Sequence, residues 1–183
     1  IPSWKPTTRS SGSNMDCDII LVGLNHRTAG VDVRERFALV DFCAPDTWAV
    51  PRSGGLNESL ILSTCNRVEL LAAGSGDVAG QLLRDWAAAR GEAVEELRNY
   101  VYIHKNLDAV RHVFTVASSL DSMVLGEPQI LGQLKGAYRK AVAAHSVGVI
   151  LNRLLHKAFS VAKRVRTETA VASSAVSISY ASV

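Results

Sequence analysis

Apolar positions follow two different periods along this chain, and the change of period divides it. The run Ile19-Ile20-Leu21-Val22-Gly23-Leu24 has the length and composition of a buried strand. Turn-prone Asn25-His26-Arg27-Thr28 follows, and a short helix is predicted from Val33 to Leu39. After a loop containing Pro45, Pro51 and Gly54-Gly55, Ser59-Leu60-Ile61-Leu62 and Val68 to Ala73 read as two more strands. Asp77 suits a helix N-cap and Gly91 a helix stop, which frames a helix from Val78 to Arg90 with Leu82, Leu83, Trp86 and Ala89 on one side. Tyr100-Val101-Tyr102-Ile103-His104 supplies a fourth strand.

From Leu107 onward the period is helical. Helices are predicted over Leu107 to Ser119, Pro128 to about Ala144, and Val147 to about Glu168, with Gly126-Glu127-Pro128 separating the first two. In the last of them Leu151, Leu154, Leu155, Ala158, Ala162 and Val165 form one stripe, with Arg153, Lys157 and Arg164 opposite. The order strand, helix, strand, strand, helix, strand predicts an α+β fold. Its sheet is antiparallel, of the ferredoxin-like split βαβ type, with helices on one face, followed by a helical extension.

Composition narrows the class. With 183 residues, 48% hydrophobic and 20% charged, the chain can bury a substantial core as one main domain with helical appendages. A net charge of +3 is compatible with a nucleic-acid partner without requiring one. No apolar run approaches the roughly 20 residues that cross a bilayer, and no secretory leader pattern opens the chain. Three cysteines, Cys17, Cys43 and Cys65, lack C-x-x-C spacing and cannot all pair, which fits a reducing cytoplasm. The histidines have no spacing that supports a metal site. Residues 1–14, with Ser10-Ser11-Gly12-Ser13, are expected to be a flexible leader, natural or added, upstream of a native start at Met15.

Chemistry concentrates in Leu62-Ser63-Thr64-Cys65-Asn66-Arg67, which sets a thiol beside a fixed positive charge at a strand-to-strand junction. Such a thiol is either a packed core cysteine or a nucleophile. A second segment, Ser119-Leu120-Asp121-Ser122-Met123-Val124-Leu125-Gly126-Glu127-Pro128-Gln129-Ile130-Leu131-Gly132-Gln133, must be read with it. Together with Val22 to Ala29, Val33-Arg34-Glu35-Arg36 and Lys163 to Thr169, these segments make the chain resemble glutamyl-tRNA reductase from about Ile20 to its last residue. Departures are small: Gly30 follows Ala29 where a proline is common, and the loop between Leu39 and Glu58 is short.

The resemblance implies an NADP-dependent oxidoreductase of tetrapyrrole (porphyrin) biosynthesis. Glutamyl-tRNA(Glu) would be reduced to glutamate-1-semialdehyde through a thioester on Cys65, with NADPH as hydride source. It implies catalytic roles for Cys65 and His112. It also implies substrate contacts by Thr64, Asn66, Arg67, Ser122, Glu127, Gln129 and Gln133, Arg67 recognising a carboxylate and Glu127 the glutamyl ammonium. Residues 15–168 would be the catalytic domain and 169–183 the start of a linker; no G-x-G-x-x-G occurs, and the resemblance implies that a nicotinamide domain and a dimerisation region follow. The full-length enzyme is expected to be a homodimer and to partner glutamate-1-semialdehyde aminomutase, without metal and without membrane.

Blander readings stand beside these. Thr64 and Asn66 also serve turn chemistry, Glu127 can stabilise a helix N-terminus, and His112 can be a structural helical histidine. His26 either orients the loop carrying the thiol or lies plainly on the surface, and Arg34-Glu35-Arg36 reads as a solvated helix face. The alternative function is a tRNA-binding or assembly module with a structural cysteine, its contacts made by Arg153, Lys157 and Arg164.

Overall fold

The computed structural model describes residues 17–39, 55–122 and 129–169. Four strands, β1 (Asp18–Asn25), β2 (Leu56–Ser63), β3 (Arg67–Gly74) and β4 (Tyr102–Lys105), form one sheet in the order β2-β3-β1-β4. Every neighbouring pair is antiparallel. The helices are α1 (Val31–Arg36), α2 (Val78–Arg90), α3 (Val94–Arg98), α4 (Leu107–Ala117), α5 (Gln129–Ala143) and α6 (Val149–Glu168). With α1 between β1 and β2, and α2 and α3 between β3 and β4, this is the split βαβ arrangement the pattern predicts.

Strand alternation sorts the core into two layers. Ile20, Val22 and Leu24 of β1 and Val68, Leu70 and Ala72 of β3 pack with Phe37, Val78, Leu82, Leu83, Trp86 and Leu97, so α1, α2 and α3 cover one face. Leu21, Leu71 and Ala73 turn the other way, with Leu60 and Leu62 of β2, and meet Val113 and Val116 of α4, Ile130 and Leu134 of α5 and Leu151, Leu155 and Ala158 of α6. The helical extension therefore closes the second face. That explains why the central strands are apolar on both sides, as Ile19 to Leu24 already is in the sequence.

Local chemistry fixes the ends. The Asp77 carboxylate accepts from the Gly80 amide at 3.0 Å to start α2, and Gly91 ends it with a left-handed φ of 67°. Trp86, wholly buried, donates its indole N–H to the Phe37 carbonyl at 3.0 Å and locks α2 to the segment after α1. The entry to α6 is held from far away in sequence: Glu58 of β2 accepts from the amides of Ile150 at 3.0 Å and Leu151 at 2.7 Å. A carboxylate at a helix N-terminus satisfies orphan donors and interacts favourably with the positive end of the helix dipole.

The elements differ from the sequence reading in detail. Helix α3 is unpredicted, because it has five residues and buries only Leu97. Strand β4 begins at Tyr102 rather than Tyr100, and Val165 is only half-buried while the rest of its stripe is buried. Glu127, Pro128 and Cys43, the residues 1–14 leader and the segment from 170 onward lie outside the described residues. Among the described residues, no helix is long and apolar enough to cross a membrane, and no cluster of His, Cys, Asp and Glu could hold a metal ion.

Candidate functional site

The β2–β3 hairpin turns through Thr64, Cys65 and Asn66. Thr64 organises the turn: its hydroxyl accepts from the amides of Asn66 at 3.2 Å and Arg67 at 3.1 Å, and its own amide donates to the Arg67 carbonyl at 2.8 Å. That is the turn chemistry expected of a threonine there. The His26 amide donates to the Asn66 carbonyl at 3.0 Å, tying the loop after β1 to the same turn. The result is a braced hairpin tip with the Cys65 side chain exposed. A cysteine in this position is not a packing residue.

Cys65 opens onto a cavity of about 390 Å³, part of it bulk solvent, lined by Thr64, Cys65, Asn66, Arg67, Ser122, Gln129, Ile130 and Gln133. The hairpin supplies four of these residues, the segment after α4 supplies Ser122, and the first turns of α5 supply the rest. Gln129 and Gln133 are four apart and share a helix face. Of the residues expected at the site, all except Glu127 and His112 line this cavity. Glu127 is outside the described residues, and His112 lies one layer behind.

That deeper layer went unseen in the sequence. Arg67 is only 2% exposed, and its Nη1 donates to Glu69 Oε1 at 2.9 Å and Asp121 Oδ2 at 3.1 Å, while Nη2 donates to the Asp121 carbonyl. Glu69 Oε1 also accepts from the Tyr102 hydroxyl at 2.6 Å and faces His112 Nε2 at 2.8 Å. An ionised carboxylate can only accept, so His112 carries its proton on Nε2. Asp121 is shared again, with Arg27 Nη1 3.0 Å from its Oδ1. Gly23 makes the convergence possible: a Cβ there would stand 2.8 Å from Glu69 Cγ and 3.0 Å from the Tyr102 ring, so a bare strand residue lets β3 and β4 side chains meet across β1.

The electrostatics follow from burial and partners. Burial alone would raise the Glu69 carboxyl, but the hydrogen bond from His112 and the Arg67 charge hold it below the usual glutamate value. Burial opposes the Arg67 charge, yet the Glu69 carboxylate, with lesser help from Asp121, keeps that guanidinium above its ordinary value. Tyr102, half-buried and against Glu69, is pushed far above a normal phenol by desolvation and the neighbouring carboxylate and stays a proton donor. His104 stacks on His112 with ring centroids 4.8 Å apart, and burial followed by that neighbour lowers its imidazole.

Glu69 was detectable by simple alternation, since Arg67 and Glu69 are two apart on one strand and face the same way. Asp121 sat inside the second motif without a role. The basic residues of α6 give a less concentrated picture: Arg153 and Lys157 are exposed, whereas Arg164 is paired with Glu168 at 3.0 Å.

Fold and site together define a split βαβ domain that displays a thiol on a braced hairpin tip, over a polar cavity floored by a buried arginine–carboxylate network. Comparison with known proteins gives this class its family. The family model described as "Glutamyl-tRNAGlu reductase, N-terminal domain" matches residues 22–169, and the chain belongs to that family. It is 78% identical over 169 residues to the glutamyl-tRNA reductase of Desulfovibrio desulfuricans and 68% identical over 170 residues to that of Nitratidesulfovibrio vulgaris. Each match covers 92% of this chain and 39% of the relative, so the chain spans well under half the length of these proteins. Among solved structures, glutamyl-tRNA reductase from Methanopyrus kandleri superposes with a TM-score of 0.64 at 33% identity, covering 82% of this chain and 35% of that one.

Proposed function

We propose that this chain carries the acyl-transfer half of the NADPH-dependent reduction of glutamyl-tRNA(Glu) to glutamate-1-semialdehyde, the first committed step of the C5 route to tetrapyrroles. The observation that carries the reading is the exposed Cys65 thiol at the mouth of a cavity lined, apart from Ile130, by amide, hydroxyl and guanidinium side chains. The Cys65 thiolate attacks the glutamyl carbonyl carbon, the ester carbon–oxygen bond breaks, and the ribose hydroxyl leaves with a proton. A glutamyl thioester remains on Cys65.

The cavity residues divide this work by their chemistry. Arg67 has three of its five N–H groups committed to Glu69 and Asp121, which leaves two for the glutamyl carboxylate, held in a fixed orientation. Gln129, Gln133 and Ser122 offer both donors and acceptors to the rest of the amino acid. Glu127 is assigned the ammonium on the family resemblance alone. His112 is committed through Nε2 to Glu69, so its role is to orient the network under the cavity, with Nδ1 as its remaining polar atom.

NADPH finds no fitting residues among those described. The sheet is antiparallel, β1 leads through Asn25 to Thr28 into a six-residue helix, and no glycine-rich strand-to-helix turn is present to cradle a pyrophosphate. The described residues are therefore assigned the acyl step and not the hydride step. A homodimeric full-length enzyme and a partnership with glutamate-1-semialdehyde aminomutase belong to the same proposal.

The test is direct. Incubation with glutamyl-tRNA should give a hydroxylamine-labile glutamyl adduct on Cys65, seen by peptide mass spectrometry and absent from Cys65→Ser. Absence of both the adduct and accelerated deacylation in the parent protein would overturn the reading.

A further inference from the structure

One cation beside the nucleophile has no part in the cavity. Arg34 of α1 donates Nε–H to the Cys65 carbonyl at 3.1 Å and an Nη1 hydrogen to the Ala29 carbonyl at 2.8 Å. It thereby touches the peptide of the nucleophile itself. Of its five N–H groups two are used in this way, and three remain.

Its charge is also uncompensated. Arg27 pairs with Asp121, Arg36 with Glu92 and Glu96, and Arg67 with Glu69 and Asp121. Among the described residues, no carboxylate lies within ion-pair distance of Arg34. His26, on the loop after β1, has a buried Nδ1 without a hydrogen-bond partner among the described residues, and burial followed by the charges of Arg27, Arg67 and Arg34 lowers its imidazole. The ring is then neutral near pH 7 and does not add to the charge of Arg34.

Position decides which anion fits. Glutamyl-recognising side chains come from the α5 side of the turn, and α5 packs on the face of the sheet that carries Leu60 and Leu62. Arg34 comes from the opposite side, because α1 packs through Val33 with the other layer, and it does not line the cavity. With the acyl group in the cavity, the ribose it was esterified to and the phosphate on that ribose lie outside it, and Arg34 is a cation that stands outside the cavity beside the thiol. A planar guanidinium with spare donors suits a phosphate oxygen pair.

We propose that Arg34 is a phosphate-binding residue for the acceptor end of the aminoacyl-RNA, gripping the last phosphodiester while its Nε–H fixes the Cys65 peptide. The proposal deepens the acyl-transfer reading and rests on it for the direction in which the RNA leaves. The ligand chemistry is an RNA phosphodiester, and the competing anion at this site is the glutamyl carboxylate.

Two measurements separate these sources. Binding of uncharged tRNA(Glu) is titrated against salt on a Cys65→Ser background, with and without Arg34→Ala; acyl transfer to Cys65 is timed from glutamyl-tRNA and from glutamyl ethyl thioester, which has the carboxylate but no phosphate. Arg34→Ala should weaken tRNA binding roughly 10- to 100-fold, as expected for one charge-assisted contact, and make the log–log salt slope shallower by about 0.7. Arg34→Lys should retain most of the slope. Arg34→Ala removes the brace on the Cys65 peptide for both donors, so transfer from glutamyl-tRNA should slow by about tenfold or more beyond the slowing seen with the thioester. An unchanged salt slope overturns the proposal, as do equal losses with both acyl donors, which would mean that Arg34 only braces the hairpin or holds the carboxylate. Because binding is read without the thiol, a parent protein that forms no adduct defeats the acyl-transfer reading separately.

Discussion

Glu69 is the residue whose removal should be felt most widely, because one of its oxygens serves Arg67, Tyr102 and His112 together. Glu69→Ala leaves Arg67 buried with Asp121 as its one remaining carboxylate among the described residues and strands a phenol and an imidazole N–H. Removing one partner of a buried ion pair costs about 3–5 kcal/mol. Because Asp121 still faces Arg67 at 3.1 Å, the lower end, about 3 kcal/mol, is expected. Glu69→Gln keeps the shape and an acceptor but loses the charge, and should cost about 1.5–3 kcal/mol. Urea unfolding followed by far-ultraviolet circular dichroism measures both; with a slope of about 2 kcal/mol per molar, the alanine midpoint should fall by roughly 1.5 M. The folded protein holds the Glu69 carboxyl below its usual value, so the unfolded chain binds the proton more readily. Its contribution is complete above the unfolded value of about 4.3 and is lost as pH falls through the lower folded value. The parent should therefore lose stability more steeply than Glu69→Gln below about pH 4.3. An alanine variant within about 0.5 kcal/mol of the parent would refute the reasoning.

Other outcomes follow from single contacts. Cys65→Ser should abolish adduct formation while leaving the tRNA dissociation constant within about threefold and the unfolding midpoint unchanged, since the side chain is exposed. Glu58→Ala should lower stability by about 1–3 kcal/mol in urea titrations, because it uncaps both the Ile150 and Leu151 amides at the start of α6. Gly23→Ala should cost about 1–3 kcal/mol through the clash with Glu69 and Tyr102. It should also slow acyl transfer more than Cys17→Ala, a substitution at an exposed thiol outside the network.

Periodicity revealed most of the architecture because the elements that matter are long and one-sided. Helix α2 runs from Val78 to Arg90 between the very Asp77 and Gly91 that signal its ends, and α6 buries Leu151, Leu154, Leu155, Ala158 and Ala162 as its stripe requires. Helix α3 escaped because five residues with one buried leucine make no period. The cavity wall could be anticipated in part, since the hairpin residues are contiguous and Gln129 and Gln133 share a turn of helix. The layer beneath could not. Glu69 meets Tyr102 and His112 across 33 and 43 residues of sequence, Arg67 meets Asp121 across 54, and Glu58 caps α6 across more than 90. The sheet order, with β1 between β3 and β4 and glycine at the crossing point, brings Glu69 and Tyr102 together, while the helices packed on that sheet bring His112, Asp121 and the start of α6 to their partners.

The charge balance of that layer bears on how an exposed thiol is served. Arg67 and Arg27 face Glu69 and Asp121, two guanidiniums against two carboxylates, so the network under the cavity is close to neutral as a whole. A neutral, fully bonded layer is rigid and holds the remaining Arg67 donors at a fixed angle to the cavity, which favours discrimination of a planar carboxylate over general attraction of anions. It contributes little net field at Cys65. Arg34, bonded to the Cys65 carbonyl and unmatched by any described carboxylate, supplies the positive excess from the other side of the hairpin. The two arginines thus divide their tasks by burial: the compensated one selects the amino acid, and the uncompensated one meets the polyanion that delivers it. If that division is correct, raising ionic strength should depress transfer from glutamyl-tRNA far more than transfer from glutamyl ethyl thioester, because salt screens the exposed contact and barely reaches the buried one. Parallel salt dependence for the two donors would refute the division, since only glutamyl-tRNA brings a phosphate for the exposed contact.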